Sequence, residues 1–213
     1  MQHFKRHPEP ATPLTRRQMA KQQTRARLLD AARELIAERG YEAATVRDIS
    51  AAAHLSTGAV FASFADKAAL FREVILADYE HLYQQMAASS EQGGPAKAVL
   101  VRLLMLAYDS HLSRLRLVQA AQSFAWIHDV RTPQGEAKGA RRVLDHLAAE
   151  LQRGVDAGEF QPWLDVRLTS EMLWDSYISN YRRAIFDGWD REALRERLAS
   201  QIDVLVCARH VAA

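Results

Sequence analysis

The sequence predicts an all-α protein. Three observations carry this. Apolar residues recur at helical spacing from about residue 22 onward, no stretch alternates apolar and polar residues as a half-buried strand does, and Gly, Pro, Ser and Asp breaks fall between the periodic segments. About nine helices are expected. They divide into a basic arm over residues 1–19, a small three-helix unit over 20–66, and a larger helical domain over 67–213.

The arm carries three prolines, no apolar periodicity and the cluster Lys5, Arg6, Arg16 and Arg17, so it reads as disordered. Two roles stay open for it, a minor-groove contact and a solubilising tail. The first helix is expected from about Gln22 to Arg39. Leu28, Ala32, Leu35 and Ile36 form its stripe, and Gly40 follows as the residue after the cap. Tyr41 is read as a plug for the small core.

Two short helices follow between Thr45 and Phe64. Thr45 stands at an N-cap position with Asp48 three residues on, a capping-box spacing. Val46, Ile49 and Ala53 share one face; His54 and Leu55 break the pattern. Ser56 supplies a second cap, and Val60, Phe61 and Phe64 form the next apolar face. Helices this short do not hold together alone, which points to a role other than stability. Arg47 lies in the first turn of one helix, and Lys67 in the first turn of the helix after Asp66. A cation there opposes the helix dipole unless an external anion such as a phosphate shares the site. Gly58 costs about 1 kcal/mol relative to Ala within a helix, and in return lets backbone approach a partner surface. A helix-turn-helix that reads DNA accounts for these choices; a helical corner with solvated charges is the plainer alternative.

The run TVRDISAAAHLSTGAVFASF resembles the DNA-binding domain of the TetR family of transcriptional regulators. Thr45, Val46, Arg47, Asp48, Ile49, Ser56, Gly58, Phe64, Lys67 and Leu70 match that family's motif in register, within a similarity running from about Arg25 to Phe71. His54 replaces the turn glycine, and His tolerates positive φ better than most residues. Phe61 replaces a Tyr, which removes a hydroxyl that could reach phosphate. The resemblance implies that Thr57, Gly58, Ala59, Phe61 and Ser63, behind the cap Ser56, face base edges in the major groove, while Thr45, Arg47 and Lys67 hold the backbone.

A longer helix is expected from Asp66 to about Ala88, shared by both units because no turn signal interrupts it. The loop SSEQGGP ends it. Further helices are expected near 95–110, 113–128, 135–157, 166–187 and 190–209. Tyr108, Phe124, Trp126, Trp174, Tyr177 and Tyr181 are spread over three of them, with Met86, Leu103 and Met105 nearby. Spacing leaves open whether these form plain core or line a cavity; the resemblance implies a cavity, for a largely apolar or aromatic small-molecule effector. His111, His128 and Arg114 are candidates to orient a polar group. Leu168, Met172, Ser176 and Ser179 trace a second face of the penultimate helix, and Leu194, Leu198, Ile202 and Leu205 a near-heptad face of the last. Both are read as the interface of a two-fold homodimer, the arrangement the resemblance implies.

Composition agrees. Hydrophobic residues at 48% and charged residues at 25% are ordinary for a globular protein. Residues 1–72 hold 12 Lys/Arg against 7 Asp/Glu and the remainder 16 against 19, so the helix-turn-helix lies in the basic part. The one cysteine, Cys207, suits a reducing cytoplasm and is expected to be buried. No apolar run approaches the roughly 18 residues of a membrane span, and no signal peptide opens the chain, so a cytoplasmic location is expected. No zinc spacing, phosphate loop or nucleophile elbow is present, so no metal, cofactor or catalysis is expected; the i, i+4 pair His146 and Glu150 reads as solvated. The resemblance implies a regulator of transcription, most readily a repressor, with double-stranded DNA, an effector and a second copy as partners. A non-specific DNA-binding or protein-docking role on the same fold is the alternative.

Overall fold

The computed structural model describes residues 15–128 and 138–207. Among them every regular element is helical, as the periodicity requires: α1 (Arg16–Arg39), α2 (Val46–Ala52), α3 (Thr57–Ser63), α4 (Lys67–Ser90), α5 (Ala96–His111), α6 (Leu115–Ile127), α7 (Lys138–Asp156), α8 (Val166–Phe186) and α9 (Arg191–Val206), with a single 3₁₀ turn at Leu112–Arg114. None is long and apolar enough to cross a membrane. The arm up to residue 14, the break at Thr132–Gly135 and the last residues of the expected final helix lie outside the described residues.

α1 begins earlier than its apolar stripe announces. Thr15 accepts from Gln18 N while the Gln18 side chain reaches back to the Thr15 backbone, a capping box that starts the helix at Arg16. The expected arm therefore ends before Thr15 rather than at residue 19. The apolar stripe starts only at Leu28, since residues 15–23 are all exposed. Gly40 closes the helix at φ 84°, its N–H donating to Ile36 O at 2.8 Å.

Two cores form, and α4 belongs to both. The N-terminal core gathers Leu28, Ile36, Ile49, Val60 and Phe64 with Leu70, Phe71 and Val74 of α4. It also recruits Leu117 and Phe124 from α6, so the small unit does not end at residue 66. Phe71 stands between Tyr41 and Phe124, with ring centroids 5.0 and 5.1 Å away. The larger core is built from α5, α7, α8 and α9 around Leu82 and Met86 of α4.

α7 lies close along α4. At Gly139 any Cβ would fall 2.4 Å from Tyr79 Cβ, so only glycine lets the start of α7 come this near. His146 and Glu150 of α7 are not the solvated pair expected. His146 Nε2 lies 2.9 Å from Ser90 Oγ with its ring edge-on to Tyr83, and Glu150 is buried against Arg153. α7 turns that face toward α4, so its polar residues serve the packing.

The last helix also departs from expectation. Leu194, Leu198 and Ile202 are fully buried in their own subunit's core, with Leu205 packed beside them. The near-heptad face closes this core against α5 and α8, so it is not an interface. Cys207 is exposed rather than buried, because it follows the last turn of α9.

Phe124 ties α6 to the N-terminal core through its contacts with Tyr41 and Phe71. Phe124→Ala is expected to cost about 3–5 kcal/mol, the usual price of an emptied aromatic site, measured by urea denaturation. A loss under about 1 kcal/mol would show that α6 is not part of the N-terminal core.

Candidate nucleic-acid interface and effector cavity

The helix-turn-helix is set by caps. Thr45 Oγ1 accepts from Asp48 N at 3.1 Å and donates to Asp48 Oδ2 at 2.6 Å, while Thr45 N donates to the same carboxylate at 3.2 Å. The Thr45 hydroxyl is thus committed to its own helix, and the bonds from Thr45 hold the Asp48 carboxyl below the usual range. Ser56 Oγ accepts from Ala59 N at 3.3 Å and starts α3. Between the helices His54 takes φ 52°, the left-handed turn that its position as a substitute glycine anticipates.

α3 presents Thr57, Gly58, Phe61 and Ala62 outward, with Phe61 59% exposed. A large aromatic ring left in water at the tip of a short helix is unusual and marks a contact surface. Ala59 is half-buried, and Ser63 turns inward, its Oγ donating to Ala59 O at 2.9 Å. Ser63 is therefore not a base-edge donor; helix geometry puts Ala62 at the outward position instead. Gly58 meets only Ser56 Oγ, at 3.6 Å from a built Cβ, so the fold itself does not require a glycine there.

Of the two cations, Arg47 is exposed and its guanidinium makes no hydrogen bond or ion pair among the described residues. Lys67 is half-buried. Its Nζ sits 4.1 Å from the centre of the Tyr41 ring and donates to Glu42 O at 3.4 Å. Burial lowers its pKa, against the pull of Glu42.

Struts from α1 brace the head, and no local pattern in the chain announces them. The Arg25 guanidinium bonds Ser63 O and Glu73 and lies 4.2 Å over the Phe64 ring. Arg27 donates to Ala53 O at 2.5 Å. Arg33 bridges Asp30 at 2.7 Å and Asp78 of α4 at 2.8 Å. Apart from Asp30, their partners are distant in sequence, so no spacing rule reveals them.

A cavity of about 60 Å³ lies between α4, α6 and α8. Trp174, Tyr177 and Tyr181 line it as expected, joined by Val74, Ile75, Asp78, Tyr79, Leu82, His111, Leu117, Val118 and Gln122. Trp174 stacks on Tyr177 at 4.8 Å and leans on Tyr79 at 6.0 Å. Tyr108 stands behind this wall, 4.7 Å from Tyr177, and donates to Tyr177 O at 3.1 Å. Burial pushes the Tyr177 and Tyr181 phenols well above their ordinary pKa.

The remaining expected lining residues lie elsewhere. Met86, Leu103 and Met105 are buried in the larger core, filling space between helices. Phe124 packs in the N-terminal core, and His128 stacks on it at 4.3 Å, away from the cavity. Trp126, two residues on from Phe124, points the opposite way and is 90% exposed. Arg114 pairs with Glu34 of α1 at 3.0 Å. On α8, Leu168, Met172 and Ser179 are exposed and Ser176 is half-buried, and Phe186 extends their stripe. No His/Cys/Asp/Glu group among the described residues could hold a metal ion.

Residues 28–74 match the model of the family described as "Bacterial regulatory proteins, tetR family". The chain is 25% identical over 157 residues to the HTH-type transcriptional regulator UidR of Escherichia coli, covering 72% of this chain and 78% of that protein. It is 28% identical over 160 residues to the HTH-type transcriptional repressor KstR2 of Rhodococcus jostii, covering 71% and 75%. Among solved structures, the transcriptional regulator FadR from Bacillus subtilis in complex with stearoyl-CoA superposes with a TM-score of 0.69 at 21% identity, covering 87% of this chain and 99% of that one.

Because nothing inside the fold calls for glycine at position 58, Gly58→Ala is expected to raise stability by about 0.5–1 kcal/mol. Thermal or chemical unfolding checks this. Destabilisation would mean that a contact within the fold, rather than an outside surface, accounts for the glycine.

Proposed function

The chain belongs to the tetR family of bacterial regulatory proteins, and on that premise we propose that it is a homodimeric, ligand-responsive transcriptional repressor. A largely apolar or aromatic small molecule releases it from a near-palindromic operator. The observation that carries this reading is the double service of α4. Its first turns complete the core beneath α2 and α3, and the same helix supplies Val74, Ile75, Asp78, Tyr79 and Leu82 to the cavity.

On DNA, α3 enters the major groove with Thr57, Gly58, Phe61 and Ala62 foremost. The methyl of Thr57 and the Phe61 ring suit thymine methyls. Arg47 holds a phosphate, and Lys67 adds charge beside it from its seat on Tyr41. A two-fold dimer presents two such heads to successive grooves, about 34–36 Å apart or somewhat more. The dimer forms through the outward stripe of α8, Leu168, Met172, Ser179 and Phe186, with exposed Val204 of α9 beside it. Unpaired apolar residues at that spacing on one helix support a partner helix.

Release follows from volume. The cavity is far smaller than the roughly 300–1,000 Å³ of most ligand sites. An effector therefore enters only by parting α4 from α8 and α6. α4 is tied to α1 through Arg33–Asp78 and Arg25–Glu73, so its displacement carries the head with it. The ligand shifts the equilibrium by its preference for the parted form, and a spacing error of a few ångströms costs groove contacts.

Selection of bound DNA from a random pool is expected to return a few related palindromes; diffuse recovery would favour a non-specific or docking role. On the selected site, Arg47→Ala should weaken binding and lower the salt slope by about one. Trp174→Ala should leave operator affinity within about twofold of the parent and remove release by effector. A variant that is still released as the parent is would place the effector elsewhere.

A further inference from the structure

The cavity wall is unevenly supplied with hydrogens to donate. Tyr181 Oη donates to Ala107 O at 3.3 Å, so the 2.6 Å contact between the Tyr177 and Tyr181 hydroxyls uses the Tyr177 hydrogen. His111 Nδ1 lies 2.9 Å from Ala107 O. A carbonyl only accepts, so Nδ1 carries the ring proton. Burial holds the imidazole below its usual pKa and therefore neutral at pH 7, the Ala107 carbonyl and Asp78 opposing. The opposite nitrogen, Nε2, is then a lone pair with no partner among the described residues. Asp78 spends Oδ1 on Arg33 Nε at 2.8 Å and keeps a second acceptor oxygen.

Charge points the same way. Among the described lining residues none is Lys or Arg. The neighbouring recess, which shares Asp78 and His111 with the cavity, contains Arg33 and Arg114, but Asp30, Asp78 and Glu34 already match them. Gln122 and the Tyr79 hydroxyl can donate or accept, and so set no preference. A carboxylate placed here would face lone pairs without a free cation, which is costly in a buried site. A hydroxyl or N–H would satisfy an acceptor that no protein donor among the described residues reaches.

We propose that the cavity selects an uncharged molecule with an apolar ring body and one O–H or N–H that donates to His111 Nε2, and that it rejects the carboxylate counterpart. This rests on reading the cavity as the effector site.

Calorimetric titration of the full chain at pH 7.5 with 4-ethylphenol, ethylbenzene and 4-ethylbenzoate tests it. The phenol is expected to bind about tenfold or more tightly than ethylbenzene, and the benzoate more weakly than either. His111→Phe should bring the phenol-to-ethylbenzene affinity ratio close to one. His111→Gln, which keeps an acceptor, should restore part of it, separating a donor-reading role from mere damage to packing. A benzoate that binds as well as the phenol, or a phenol advantage that survives in His111→Phe, overturns the assignment. If ethylbenzene binds without any phenol preference, only this assignment falls. If none of the three binds, the effector cavity falls too.

Discussion

The contact of three rings, Tyr41, Phe71 and Phe124, is what the rest of the molecule depends on. Phe71 belongs to α4, Phe124 to α6, and Tyr41 to the turn that leads into α2; their centroids lie 5.0 to 5.5 Å apart. α2 and α3 have seven residues each, too few to stand without support. They persist because α1, α4 and α6 enclose Ile49, Val60 and Phe64 from behind. A head assembled in this way cannot move independently of α4, and α4 cannot move without disturbing the cavity on its other flank.

Electrostatics makes the same joint directional. The excess of cations in residues 1–72 reads as a footprint for nucleic acid, yet much of it is spent within the fold. Arg25, Arg27 and Arg33 brace α1 against α3, the turn and α4. Lys67 lies over Tyr41. Arg47 remains outward, so phosphate affinity rests on fewer charges than the bare count suggests. One brace of the head reaches the cavity itself, since Asp78 both borders it and holds Arg33.

Where signals were local, the sequence was legible. The Thr45 capping box, the turn at His54 and most helix ends depend on residues three or four apart, and the structure contains them; α1 starts earlier than its apolar stripe announces because the Thr15 box begins it at Arg16. The cavity depends on which helical faces meet, which periodicity does not disclose. Trp174, Tyr177 and Tyr181 share one face of α8 and came out together, whereas Phe124 and Trp126 sit on opposed faces of α6 and neither reaches the cavity. Leu194, Leu198 and Ile202 illustrate a related limit. A near-heptad stripe specifies a packed face without specifying whether the partner is the same chain or another. Asp78, Tyr79, Gln122 and the bracing role of Arg25, Arg27 and Arg33 have no local signal, because what they meet lies far along the chain.

If filling the cavity moves α4, the distance between two heads changes with it. Ala51 is exposed on α2, and a spin label there, in a Cys207→Ser background, reports that distance by pulsed electron resonance. At saturating 4-ethylphenol the inter-label distance is expected to shift by a few ångströms. An unchanged distribution under ligand occupancy, or no inter-label signal at all, would contradict it.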